Sequence, residues 1–143
     1  MKVGYLITGR LKSTRLPKKL LLEINGKPII SHMIDRLKLA NKINEIIICS
    51  STNEQDMPLA DIASKNGIKC YFGDPDDVLA RLLEAADKFN LDYILNITAD
   101  CPFVDPYYAD KIVDKYVETG ADLIRQFDLP HGVFSYGIKV DAL

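Results

Sequence analysis

Short apolar runs separated by segments of helical period most restrict the folds open to this chain. "KVGYLIT" (2–8), "EIIICS" (45–50), "IKCYF" (68–72), "DYILNIT" (92–98) and "ADLIRQ" (121–126) read as strands. Between them, Ile29, Ile30, Met33, Ile34 and Leu37 recur at helical spacing. The same holds for "MPLADIASKNG" (57–67), with Leu59, Ile62 and Ala63 inward, and for "VLARLLEAADKF" (78–89). Strands alternating with helices of these lengths predict a parallel sheet covered on both faces, the doubly wound α/β class.

Local signals place the ends of these elements. "NGK" (25–27) is a turn, and Pro28 suits the first position of a helix running to about Ala40. "LLLEI" (20–24) adds a short extended piece. Gly67 closes the second helix, Asp76 or Asp77 reads as the N-cap of the third, and Asp105 with Pro106 opens a fourth that runs to Gly120. The last stretch, "HGVFSYGIKVDAL", reads as a loop into an extended segment with no helix to cover it, a place for pairing with another chain.

In a sheet of this class, ligands bind beyond the carboxyl ends of the strands. Two polar stretches leave strands there: "GRLKSTRLPKK" (9–19) after the first and "ADCP" (99–102) after the fourth. The first holds Arg10, Lys12, Arg15, Lys18 and Lys19 with no acid among them, although the chain as a whole has 18 Lys plus Arg against 20 Asp plus Glu. A nucleic-acid binder would spread positive charge over a face. Cations concentrated in one loop suit a short anion such as a nucleoside triphosphate.

The stretch contains neither GxxxxGK[ST] nor GxGxxG, so the common phosphate-loop and dinucleotide fingerprints are excluded. A triphosphate carries about four negative charges. At an effective dielectric near 20 a contact ion pair is worth ~4 kcal/mol before desolvation, so about three cations and a metal ion offset it. Arg10 and Lys19 are the first choices for that work. Asp100 follows an apolar strand directly, where a carboxylate near phosphates holds Mg²⁺. Taken singly, each cation is equally well read as part of a solvated loop and Asp100 is better read as a turn former before Cys101 and Pro102; the two stretches together favour the anion and metal site.

Other groups point elsewhere. Arg81, one turn into its helix, faces either the ligand cleft or water, and the sequence leaves both open. His32 and His131 have no Ser or Cys at a motif spacing, so a nucleophilic triad is poorly supported. Cys49, Cys70 and Cys101 form no CxxC and suggest neither a disulfide framework nor a zinc site. The apolar stretch before Arg10 is too short for a signal peptide, and no run approaches the ~20 residues of a membrane span, so the chain reads as cytoplasmic. Its 143 residues suit one domain.

Several segments also carry a resemblance. "GRLKSTRLPKKLLLEINGKPIISHMIDRLKLA", "DDVLARLLEAA", "ILNITADCPFVDP" and "TGADLI" follow, in order, the pattern of the sugar-acid cytidylyltransferases, the CMP-KDO and CMP-acylneuraminate synthetases. Within them the chain most resembles the spore-coat polysaccharide cytidylyltransferase-like proteins. The resemblance implies a three-layer α/β/α nucleotidyltransferase fold, Rossmann-like and GT-A-like, with a mostly parallel sheet. It implies transfer of CMP from CTP to an acidic sugar with release of pyrophosphate and with Mg²⁺ present. By position, Arg10, Ser13 and Lys19 would hold the triphosphate, the backbone around Thr8 and Gly9 would line the base pocket, Asp100 would bind the metal, and Arg81 would lie near the nucleotide.

Three positions depart from that pattern: the family's usual residues are Ala at Gly9, Gly at Lys18 and Gly at Ala99. Lys18 is expected to matter most, with two alternatives open: lysine resists positive φ and so alters the path of the loop, or it equally adds a phosphate contact. Family members also continue beyond the point matching Leu143, where they supply a second metal-binding aspartate, much of the sugar pocket and the contacts of a homodimer. The resemblance therefore implies a nucleotidyltransferase domain short of its C-terminal part. A CTP-binding chain without turnover, or a relative using another nucleoside triphosphate, are the alternative expectations.

Overall fold

The computed structural model describes residues 1–13 and 15–143; Thr14, inside the cation stretch, lies outside the described residues. Four strands, β1 (Val3–Thr8), β4 (Glu45–Ser51), β5 (Lys69–Gly73) and β6 (Tyr93–Thr98), run parallel. Two more, β7 (Leu123–Arg125) and β8 (Tyr136–Lys139), complete the sheet in the order β5-β4-β1-β6-β8-β7. A small antiparallel hairpin, β2 (Glu23–Ile24) and β3 (Lys27–Pro28), stands apart from it.

The helices are α1 (Ile29–Leu37), α2 (Pro58–Lys65), α3 (Val78–Lys88) and α4 (Pro106–Thr119). Side chains on a strand point alternately to opposite faces, and β1 shows the consequence. Val3, Tyr5 and Ile7 join a buried cluster with Ile30, Met33, Ile34 and Leu37 of α1, Leu59 and Ala63 of α2, and Ala109, Ile112 and Val113 of α4. Leu6 instead joins Ile47, Cys49 and Ile94, against Leu82, Ala85 and Ala86 of α3. The sheet is thus sandwiched between α1, α2 and α4 on one side and α3 on the other, the three-layer α/β/α arrangement that the alternation predicts.

The caps fall where the sequence places them. Asp77 accepts a hydrogen bond from the Ala80 N–H at 2.9 Å and Asp105 one from the Tyr107 N–H at 2.9 Å, each of the kind worth about 1 kcal/mol. Asp76 is not a cap; the Asp74 carboxylate accepts from the Asp76 and Asp77 N–H groups and shapes the turn before α3. Gly67 takes φ 64° just past the end of α2.

Three expectations are corrected. Pro28 precedes α1 instead of starting it, with ψ 143°, because it is paired with Glu23 across the hairpin whose Asn25 and Gly26 both take positive φ. α1 ends at Leu37, three residues short of Ala40, where the chain turns. The C-terminal segment is no uncovered edge: β8 lies between β6 and β7, antiparallel to both. Glycine permits that position. A Cβ on Gly137 would sit 2.1 Å from the Tyr93 hydroxyl and 2.3 Å from Ile112 Cγ2. Tyr93 itself stacks on Tyr116 with ring centroids 4.0 Å apart. Among the described residues no helix is long and apolar enough to cross a membrane.

Candidate active site

The chain leaves β1 toward β4 on one side, and β6 adds on the other, so the direction of winding reverses between β1 and β6. At such a switch point the loops leaving adjacent strands diverge and open a crevice. Thr8 and Thr98 end the two strands in register, and the segments that follow them are the cation stretch and Ala99–Asp100. Between them lies an open cavity of about 460 Å³, lined by Thr8, Gly9, Arg10, Lys12, Ser13, Arg15, Lys19, Leu20, Thr98, Ala99 and Asp100. The structure therefore brings together Thr8, Gly9, Arg10, Ser13, Lys19 and Asp100.

The loop is anchored at both ends. Leu11 and Leu20 are buried, and the residues between them carry the cations outward. The Gly9 carbonyl accepts from Ser50 Oγ at 2.7 Å, and the Lys18 N–H returns to the Leu11 carbonyl at 3.3 Å. Lys18 adopts φ 53° and ψ 29°. The expectation that a lysine here reroutes the loop is thus not met: the left-handed turn forms, at the strain of a side chain in that region, and it delivers Lys19 into a 3-10 turn facing the cavity.

Sequence reasoning missed Asp56. This buried carboxylate accepts from the Leu11 N–H at 2.6 Å and from Ser51 Oγ at 2.5 Å, so it fixes the start of the cation loop. Nothing in "TNEQDMP" marks it, since its partners come from two other segments.

Lys19 Nζ donates to Asp100 Oδ2 at 2.6 Å. That hydrogen bond, helped by one from Thr98, holds the Asp100 carboxyl below the usual carboxylate range against a smaller effect of burial. Both side chains are about a third or more exposed, so the pair adds only ~0–1 kcal/mol to stability. It orients the two groups and is cheap to open. The cavity lining carries Arg10, Lys12, Arg15 and Lys19 against the single carboxylate of Asp100, an arrangement that attracts a polyanion.

Arg81 behaves differently. It is 2% exposed, does not line the cavity, and donates from Nη1 to the Asp74 carbonyl at 2.7 Å, while its Nε has no partner among the described residues. Arg10 Nη1 donates to the next carbonyl, Pro75, at 2.9 Å. Arg81 is thus connected to the cavity through the 74–75 turn that Arg10 touches.

Two of the sequence departures form a single contact. A Cβ on Gly9 would meet the Ala99 Cβ at 2.6 Å and Leu20 Cδ1 at 3.1 Å. The alanine and glycine of the related pattern are exchanged between the two facing loops, leaving one methyl group at the junction in either arrangement. Gly9→Ala is therefore expected to destabilise by about 1–3 kcal/mol through overpacking. Adding Ala99→Gly should restore more than half of the loss in urea denaturation, whereas additive losses would show that the two positions are independent.

A divalent cation requires oxygen donors. Among the described residues no three His, Cys, Asp or Glu side chains cluster as a metal cage. Mg²⁺ usually takes one or two carboxylates and completes its shell with substrate phosphates and water, so Asp100 beside a polyanion cavity suits it.

The chain is 26% identical over 143 residues to the spore coat polysaccharide biosynthesis protein SpsF of Bacillus subtilis, covering 97% of this chain and 60% of that one. It is 28% identical over 124 residues to 3-deoxy-manno-octulosonate cytidylyltransferase of Chloroherpeton thalassium, covering 85% of this chain and 48% of the relative. A cytidylyltransferase structure from Leptospira borgpetersenii superposes with a TM-score of 0.92 at 30% identity, over 99% of this chain and 61% of that one. The chain spans about half to three-fifths of the length of these relatives. The cytidylyltransferase family profile matches residues 5–139, nearly the whole chain, and with the crevice between β1 and β6 this establishes that the chain belongs to the cytidylyltransferase family.

Proposed function

We propose that the cavity binds CTP with Mg²⁺ and that the protein transfers CMP to a hydroxyl of an acidic sugar, releasing pyrophosphate. The observation that supports this reading best is the Lys19–Asp100 pair set among Arg10, Lys12, Ser13 and Arg15 at the switch point of the sheet. The acceptor oxygen forms a bond to the α-phosphorus, the bond to the β-phosphate oxygen breaks, and the hydroxyl proton passes to solvent. Bound Mg²⁺ would supply charge neutralisation on the phosphates, with Asp100 as its protein ligand. Lys19 exchanges Asp100 for a phosphate oxygen, and Arg10 and Ser13 hold the rest of the chain of phosphates. Their work is positioning and stabilising the charge that develops on pyrophosphate. The backbone at Thr8 and Gly9 borders the base, and Arg81 acts through the 74–75 turn.

Thermal shift with the four nucleoside triphosphates and Mg²⁺ tests the nucleotide. A ligand at about 100 times its Kd adds ~2.7 kcal/mol, so CTP should raise Tm by several degrees more than ATP, GTP or UTP. An equal or larger shift with another triphosphate would assign that nucleotide instead. CTP binding without turnover is the alternative outcome; pyrophosphate release in the presence of a sugar acid separates the two.

A further inference from the structure

Arg10 is exposed, yet its backbone is held on both sides. The Gly9 N–H extends the β1 ladder to the Cys49 carbonyl at 3.3 Å, and the Gly9 carbonyl accepts from Ser50 Oγ at 2.7 Å. Beyond Arg10, the Leu11 N–H donates to Asp56 Oδ1 at 2.6 Å. A peptide unit is planar, so a residue whose two flanking units are fixed has its φ and ψ fixed as well. The Cα of Arg10 stands between two such units, and both are tied to the end of β4 and the segment that follows it.

Asp56 is the costly member of this arrangement. It is 0% exposed, and the donors it meets, the Leu11 N–H and the Ser51 hydroxyl, are both neutral. Among the described residues it forms no ion pair. A buried acid without a cation costs stability, and what this one secures is the backbone between Arg10 and Lys12. Ser51 Oγ also accepts from the Asn53 N–H at 3.3 Å, which ties the segment leading to Asp56 back to the strand. The far end of Arg10 is held too: Nη1 donates to the Pro75 carbonyl, next to the Asp74 carbonyl that Arg81 supports. A guanidinium carries five N–H donors, so this contact leaves others for an anion.

We propose that Asp56 is a positioning residue for nucleotide binding: with Ser50 it presets the backbone of Arg10, so that the guanidinium meets the phosphates already ordered. The inference rests on the reading of the cavity as the CTP site. Asp56 does not line that cavity, so its effect on binding passes through the loop and chiefly through Arg10, the residue bracketed on both sides. A segment that becomes ordered only on binding loses affinity, and one ordered beforehand avoids the loss. The role needs an acceptor at the Leu11 N–H and does not need the charge. Asparagine keeps such an acceptor and a donor toward Ser51, whereas alanine keeps neither.

Calorimetric titration of the intact chain with Mg·CTP tests the role. Asp56→Ala is expected to raise the Kd at least ~10-fold, about 1.4 kcal/mol, while Asp56→Asn stays within about threefold of wild type. In an Arg10→Ala background, itself weakened, the further effect of Asp56→Ala should shrink to about twofold or less, the sign that the two residues act together. Asp110→Ala controls for general loosening, because the Asp110 carboxylate likewise accepts from backbone N–H groups, those of Asn41 and Lys42, in the loop that enters β4 at its opposite end. It should lower Tm and leave the Kd within about twofold. Where Asp56→Ala does not fold, Ser50→Ala carries the same cycle, with an expected loss of about fivefold. The inference is overturned, and the nucleotide reading stands, if Asp56→Ala (or Ser50→Ala in its place) binds as wild type does, if Asp56→Asn is as weak as Asp56→Ala, if the loss is undiminished without Arg10, or if Asp110→Ala weakens binding as much. If wild type does not bind Mg·CTP, the nucleotide reading fails and the inference with it.

Discussion

Lys19→Ala is expected to lower pyrophosphate release from CTP at least ~100-fold, or ~2.7 kcal/mol of transition-state stabilisation, the scale of losing one preorganised donor. The expectation follows from where the side chain already sits. Lys19 Nζ is held in the cavity by Asp100, and the left-handed turn at Lys18 fixes its backbone. A phosphate that replaces Asp100 as its partner meets a donor needing little reorganisation. Lys19→Arg should recover only part of the rate, because a planar fork does not reproduce a point charge on a short reach. The fold should be indifferent: the half-exposed pair is worth so little that urea midpoints stay within ~1 kcal/mol of wild type. A rise of about tenfold or more in the Kd for Mg·CTP is the corresponding binding readout. An unchanged Kd and an unchanged rate would remove Lys19 from the site.

Asp100→Asn is expected to have an equal or larger effect, ~100-fold or more, and a different signature. Asparagine keeps the shape and an oxygen for Lys19 but loses the charge that a hard divalent ion requires. Binding of CTP in EDTA should then be little changed, while the gain on adding Mg²⁺ should largely vanish; calorimetry with and without the metal measures it. A full magnesium effect in the variant would exclude Asp100 as the ligand.

The pH dependence has a definite sign. The hydrogen bond from Lys19 depresses the Asp100 pKa, so the carboxylate stays charged to pH values below the ordinary carboxylate range. Its contribution is lost only as pH falls through the depressed value. In Lys19→Ala the loss should begin at higher pH than in wild type, readable from the Asp100 carboxyl carbon signal.

Much of the frame is legible along the chain. The four parallel strands, α2, α3 and α4, the caps Asp77 and Asp105, and the closing Gly67 all follow from periods and residue types within a few positions of one another. The errors lie where a neighbour intrudes. Pro28 is taken by its hairpin partner Glu23, and the stretch after His131 becomes an interior strand because β6 and β7 both offer it hydrogen bonds. Asp56 was invisible for the same reason, its role being set by Leu11 and Ser51.

By itself the sequence determined the alternation of strands and helices, the placement of a cation-rich segment and an aspartate at strand ends, and through its family pattern the chemistry to expect there. Tertiary structure decided that β1 and β6 are neighbours, so that Lys19 and Asp100, 81 positions apart, touch. It also decided that Lys18 accepts a left-handed turn, that Gly9 faces Ala99, and that Arg81 is buried behind the 74–75 turn. The division has a simple cause. Periodicity is a property of adjacent residues, whereas strand order and loop contacts are fixed only when every apolar face of the chain is buried at once.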